Sequence, residues 1–334
     1  MRKVFKVILI LAGIVIIAVA GLLTFVKVGL PNIEKAADLK IDYTQERIER
    51  GKYLANNVML CMDCHSQRDY SKFAAPMKPG TFGAGGELFG DEMGLPGNFY
   101  SPNITPHHLK DWTDGELFRA ITTGVSRDGR ALIPIMPYLN FGETDKEDIY
   151  SVIAYIRTLE PIQNDAPPSE PAFPMNFIIN TMPKEASFTQ RPEKKDMIAY
   201  GKYLLTAGAC SECHTKSEQG APVEGMFLAG GSEFYFPDKT VVRSANLTPD
   251  PETGTGHWTE EDFLNKFRMY RDSTFVPSTV KDGDFKTVMP WVFYSRMEDD
   301  DIRAIYAYIK SVPPVSNKVV KFESTLLKEQ AMNK

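Results

Sequence analysis

The sequence predicts an all-α protein, with two tandem helical domains carrying long loops behind one N-terminal transmembrane helix. Three observations carry that expectation. The twenty positions from Val7 to Val26 hold one polar residue, Thr24. Two stretches of about 115 residues then repeat one design in the same order. Within each stretch the apolar residues recur at helical spacing, with no sustained strand alternation.

At 1.5 Å per residue the first segment spans about 30 Å, the hydrocarbon thickness of a bilayer. Arg2, Lys3 and Lys6 precede it, so the positive-inside rule keeps the first residues in the cytoplasm. Ala18-Val19-Ala20 before Gly21 fits a signal-cleavage pattern, but the apolar run continues through Leu22, Leu23, Phe25 and Val26. That length favours an uncleaved anchor over residues 1–28, a single pass through the inner membrane. The remaining chain is then expected on the periplasmic side, joined through a linker from Gly29 to Tyr43.

The repeat is colinear. Gly51-Lys52-Tyr53-Leu54 recurs as Gly201-Lys202-Tyr203-Leu204, and Ala84-Gly85-Gly86 as Ala229-Gly230-Gly231. Asn103 before Ile104-Thr105-Pro106 matches Asn246 before Leu247-Thr248-Pro249. Trp112-Thr113, Met136-Pro137 and Ala154-Tyr155-Ile156 likewise match Trp258-Thr259, Met289-Pro290 and Ala307-Tyr308-Ile309. The offset stays between 143 and 153 residues. The expected domains are 44–160 and 198–315, each large enough to hold its own core. Between them, 161–197 is a Pro-rich linker, semi-rigid because proline forbids a long helix. Phe173, Phe177, Ile178 and Ile179 within it predict a strap lying against a domain. Residues 316–334 are expected to form a polar tail.

Helix starts are marked by capping boxes. Thr113 with Glu116 opens one helix, and Thr144 with Glu147 opens another that presents Ile149, Val152, Ile153 and Ile156. Ser295 with Glu298 is the expected counterpart of the latter. A helix also leads into each cysteine pair.

Composition limits the function classes. The 334 residues are 43% apolar and 24% charged, which excludes global disorder and collagen-like structure. The net charge of −5 argues against a nucleic-acid partner, which calls for a basic face. Four cysteines are too few for a disulfide scaffold.

Their placement carries the chemistry. Cys61-Met62-Asp63-Cys64-His65 recurs as Cys210-Ser211-Glu212-Cys213-His214. C-x-x-C-H is the attachment pattern of c-type haem. Two thiols one helical turn apart add across the porphyrin vinyl groups, and the next histidine supplies the proximal nitrogen to iron. A four-thiolate zinc site is disfavoured because 146 residues separate Cys64 from Cys210. A redox disulfide needs no following histidine. The expected cofactors are two covalently attached haem c groups.

For the sixth iron ligand, His107, His108 and His257 do not recur between the repeats. Met136 and Met289 do, 71 and 75 residues after their histidines and each before proline. A thioether suits iron in either state and raises the potential relative to a second histidine. Met77, Met93, Met226 and Met297 are also conceivable ligands. The expected metal ligands are therefore His65, Met136, His214 and Met289. Trp112 and Trp258 either edge the porphyrin or anchor a helix start. Asn103 and Asn246 either bond a propionate or form a turn before Thr-Pro. Gly83, Gly85 and Gly86 lack a phosphate-loop pattern.

Each repeat resembles a class I cytochrome c domain, with C-x-x-C-H near its start, a Met-Pro loop and a C-terminal helix. Tyr100 to Pro106, Asp128-Gly129-Arg130 and Met136-Pro137-Tyr138 are similar to the cytochrome c subunits of membrane-bound alcohol and gluconate dehydrogenases. Asn246 to Gly254 with Trp258 follows the same pattern, and the resemblance covers roughly residues 45–315. It implies one haem on Cys61, Cys64, His65 and Met136, and another on Cys210, Cys213, His214 and Met289. Members of that family typically carry three haem domains, whereas this chain has two.

The expected function is electron transfer without catalysis, between a periplasmic or membrane dehydrogenase and a quinol- or oxidase-linked complex of the respiratory chain. The competing classes are a dihaem peroxidase, which needs an iron position open to peroxide, and a haem-bearing subunit of a larger respiratory complex.

Overall fold

The computed structural model describes residues 2–218, 220–272 and 275–324. Part of the expected polar tail, 325–334, lies outside the described residues. The apolar N-terminal segment forms a single helix, α1 (Arg2–Val28), and none of its residues is buried by the other described residues. The linker after it has no regular secondary structure and packs on the first repeat. Ile41 is buried, and Tyr43 donates to Asp114 at 2.8 Å.

In the first repeat, α2 (Gln45–Tyr53) continues into a π-helical turn, Leu54–Val58, and then α3 (Cys61–Cys64). Strands β1 (Leu88–Phe89) and β2 (Gly97–Tyr100) follow, then α4 (Pro106–Leu109), α5 (Asp114–Thr123), α6 (Tyr138–Phe141) and α7 (Lys146–Ile156). The strap contributes β3 (Glu170–Pro171) and α8 (Met175–Ile178). β3 adds antiparallel to β2, so the strap lies on the first repeat.

The second repeat has α9 (Met197–Ala207) and α10 (Cys210–His214), then strands β4 (Ser217–Glu218), β5 (Ala221–Pro222), β6 (Glu233–Tyr235) and β7 (Thr240–Arg243). It closes with α11 (Glu260–Arg268), α12 (Trp291–Tyr294) and α13 (Asp299–Ser311). β8 (Phe322–Ser324) then pairs antiparallel with β7, so the start of the expected tail is part of a sheet.

The strands amend the all-α expectation. Helices are the main regular structure, with small antiparallel ladders among the long loops. Strands of two to four residues are too short to display alternation in sequence.

Helix starts are partly where the sequence places them. Thr113 and Glu116 form the expected capping box, and Thr259 with Asp262 forms another at α11. The α7 cap is Asp145, which accepts from Glu147 N at 2.9 Å, while Thr144 donates back to Phe141 O at 2.8 Å. Asp at N-cap competes well with Thr one residue earlier, which explains the shift. Likewise α13 starts after Glu298 without a side-chain cap, and the buried Ser295 donates to Val292 O.

The first and last helices of each repeat cross in close contact through glycine. A Cβ on Gly51 would fall 1.7 Å from Ser151 O, and one on Gly201 would fall 1.8 Å from Ala304 O. One apolar cluster runs through both repeats, including Leu54, Val58, Ile149 and Ile153 of the first with Leu204, Leu264, Ile302 and Ile309 of the second. The copies also exchange elements: α6 packs on α9, and α12 packs on the π-helical turn.

Candidate haem-attachment sites

Each cysteine motif follows a residue in the left-handed region, Leu60 (φ 55°) and Ala209 (φ 49°). The chain turns there, so α3 and α10 leave the axis of the preceding helix. Cys61 and Cys64 then sit one turn apart on α3, as Cys210 and Cys213 do on α10. None of the four is in a disulfide.

The histidines are held alike. His65 Nδ1 lies 2.8 Å from Pro102 O, and His214 Nδ1 lies 2.8 Å from Ala245 O. A carbonyl can only accept, so Nδ1 carries the proton and Nε2 keeps its lone pair free for a metal. From the other side, Gly85 N donates to His65 O at 2.8 Å and Gly230 N to His214 O at 2.7 Å. Both glycines have positive φ, and a Cβ would fall 2.4 Å from Pro102 C or 2.5 Å from Ala245 C. The repeated Ala-Gly-Gly is thus part of a histidine cradle. Its recurrence is visible in the sequence, but its partners, Pro102 and Ala245, are not.

Burial keeps these groups neutral. It pushes both imidazoles below the ordinary histidine value. It raises the Cys61 and Cys210 thiols to about 12. Cys64 is raised to about 11 by burial, against the pull of Arg68. Cys213 has an exposed edge, yet the surrounding protein lifts it to about 11 as well. A thioether carries no charge, so its burial brings no such penalty.

Met136 and Met289 are half-buried against the same core as Cys61 and Cys210. The following helices hold them from one side, with Tyr138 N donating to Met136 O at 2.7 Å and Trp291 N to Met289 O at 2.8 Å. Tyr138 is fully buried and its hydroxyl has no partner among the described residues, leaving a donor two residues from Met136. Of the alternatives, Met297 is core filling, 2% exposed, and Met77 pairs with Arg68 in an isolated bridge. Met93 sits in a 3-10 turn, and Met226 is half-buried. His107 faces Asp165 at 3.8 Å, while His108 and His257 are exposed.

Trp112 and Trp258 pack against the core immediately before the capping threonines of α5 and α11. Asn103 and Asn246 form turns. Asn103 Oδ1 accepts from Thr105 N at 2.8 Å, and Asn246 Oδ1 from Thr248 N at 2.9 Å. Their amides donate to Ile162 O and Val315 O, tying down the chain beyond each C-terminal helix.

The two motifs are neighbours. Cys64 and Cys213 are close enough to interact electrostatically. Tyr294 is buried near cysteines of both pairs, with its hydroxyl donating to Gly208 O at 2.7 Å. Among the described residues no three His, Cys, Asp or Glu side chains converge as a metal cluster, which leaves the four-thiolate alternative without geometry. The donors present fit the chemistry of covalent haem: paired thiols on one turn, an imidazole with a free Nε2, and a thioether packed on the same core.

The family model described as Cytochrome c matches residues 198–313. The second repeat is a cytochrome c domain. The chain as a whole is similar to the cytochrome c subunit of a quinone-dependent alcohol dehydrogenase from Gluconacetobacter polyoxogenes, 28% identical over 80% of this chain and 56% of that one. It is similar also to the fructose dehydrogenase cytochrome subunit of Gluconobacter japonicus, at 30% identity over 80% of this chain and 52% of the relative. A dihaem cytochrome c-type protein of Cereibacter sphaeroides is 28% identical over 76% of this chain and 82% of its own length. The chain spans little more than half the length of the dehydrogenase cytochromes it matches.

Proposed function

We propose that the chain is a membrane-anchored dihaem cytochrome c that relays electrons between a dehydrogenase and the respiratory chain. The carrying observation is the twofold recurrence of the histidine cradle: C-x-x-C-H on a short helix, Nδ1 fixed by a backbone carbonyl, and a glycine closing the back. Cys61, Cys64, His65 and Met136 hold one haem, and Cys210, Cys213, His214 and Met289 hold the other. When bound, each haem supplies a one-electron change at iron.

The protein's part is positional. Pro102 and Ala245 orient the imidazoles, the common core keeps the ligands from moving between oxidation states, and burial excludes water. The shared core and the nearness of Cys64 to Cys213 support transfer from one site to the other. α1 serves as the anchor, with the domains 44–160 and 198–315 on the periplasmic side. The relatives' names place their cytochromes in alcohol and fructose dehydrogenases, so a dehydrogenase is the proposed donor.

The test uses membranes from an expressing strain and from its deletion. Alcohol, fructose and gluconate are added in turn while the haem c absorbance is followed, and a quinone analogue is then added. Substrate-driven reduction followed by reoxidation supports the relay. Haems that respond to dithionite but to none of these substrates contradict it, as does rapid peroxide turnover by the unmodified protein.

A further inference from the structure

The strap between the repeats carries apolar side chains that the fold leaves outside. Ile179 is buried with Phe99 and Ala131. Phe173, by contrast, is 79% exposed and Ile178 43% exposed. The Phe173 and Phe177 rings meet edge to face with centroids 6.3 Å apart, forming a small outward-facing cluster.

Its position identifies the occupant. α8 and the 3-10 turn after it pack against α1. Lys27 Nζ, in the last turn of α1, lies 6.0 Å from the centre of the Phe177 ring. With α1 across a bilayer, Lys27 marks the headgroup level at the outer surface, and α8 lies beside it at the same depth. Aromatic side chains with a neighbouring basic group are the usual furniture of that zone. Phe25 and Val28, near the end of α1, are exposed as well, and three side chains are too few for a specific protein interface.

We propose that Phe173, Phe177 and Ile178 enter the boundary between headgroups and acyl chains next to α1. The strap is a second, non-spanning membrane contact, and because β3 pairs with β2 it sets how the first repeat sits on the lipid surface. This inference rests on α1 being a membrane span.

The full-length protein is reconstituted into phosphatidylethanolamine and phosphatidylglycerol vesicles doped with a phosphatidylcholine whose acyl chain carries a diazirine near the glycerol. After illumination, labelled peptides are mapped by mass spectrometry. Label is expected both in α1 and in the segment 172–182. A Phe173→Ser/Ile178→Ser variant loses most of the second label and keeps the first, whereas Val276→Ser, at a surface position 77% exposed, changes neither. Label in α1 with none in 172–182, or label there that the double variant does not reduce, overturns the proposal while leaving the anchor intact. Absence of label from α1 as well overturns both.

Discussion

Tyr203 of the second repeat donates a 2.6 Å hydrogen bond to Asp148 of the first, and Tyr53 of the first donates one of equal length to Asp301 of the second. Tyr53 and Tyr203 are equivalent positions, as are Asp148 and Asp301. Each copy therefore reaches the other with the same residue, the pattern of an isologous dimer interface within one chain. Arg50 and Arg191 complete the surroundings of Asp148, and Lys194 lies 3.0 Å from Asp301.

Removing either hydroxyl leaves a buried carboxylate short of a donor. Tyr203→Phe and Tyr53→Phe are each expected to lower stability by about 1.5–3 kcal/mol, the range for hydrogen bonds to charged groups. Guanidinium unfolding of the detergent-solubilised protein measures this as a lower midpoint at unchanged slope. A midpoint equal to that of the parent protein would count against the contact.

Asp148 also gives the interface a pH dependence. Burial alone would raise its carboxyl, but the hydrogen bonds and charge of Arg50, with Tyr203 and Arg191, bring it below the ordinary value. The unfolded chain thus takes up this proton first as the solution is acidified. The stabilisation is complete above the unfolded value, about pH 4, and disappears as pH falls through the lower folded value. Stability of the parent protein should fall below pH 4 more steeply than that of Asp148→Asn. Parallel curves would show that Asp148 does not contribute.

The glycine crossings should tolerate no side chain. Gly51→Ala and Gly201→Ala each force a methyl group into a backbone carbonyl. Overpacking of this kind costs about 1–3 kcal/mol, and more where backbone cannot yield. Thermal unfolding should show a clear drop for each, whereas Gly129→Ala, where a Cβ meets none of the described residues within 4 Å, is the space control. Gly129 has φ 83°, so this control reports backbone strain alone.

The methionine assignment predicts a selective change in potential. Replacing Met136 by histidine gives the first site two imidazoles, and sulfur ligation is what raises the potential. Redox titration of Met136→His should show one midpoint lowered and the other unmoved, and Met289→His the converse. Two unchanged midpoints would assign the sixth ligand elsewhere.

Much of the fold was legible because it is local. Helical spacing gave the long helices, and the Thr113 capping box falls where the sequence puts it. The α7 start lies one residue beyond the one the sequence predicts because Thr144 and Asp145 are adjacent cap candidates. The short ladders are not legible in the sequence because strands of two to four residues carry no period. At the candidate site the recurring motifs were plain, yet the carbonyls of Pro102 and Ala245 were not, since any residue supplies a backbone oxygen. The Tyr53–Asp301 contact joins residues 248 positions apart, and nothing in either neighbourhood announces the other. The apolar residues of the strap predict that it lies against a domain; β3 and Ile179 do, while Phe173 and Ile178 face outward.

The most direct test counts cofactors. A pyridine haemochrome assay on protein quantified by amino-acid analysis, with mapping of the haem-bearing peptides, should give two covalent c haems per chain. One should reside on the peptide containing Cys61 and Cys64, the other on that containing Cys210 and Cys213. A single haem per chain, or haem extractable by acidified acetone, would contradict the twin-site assignment.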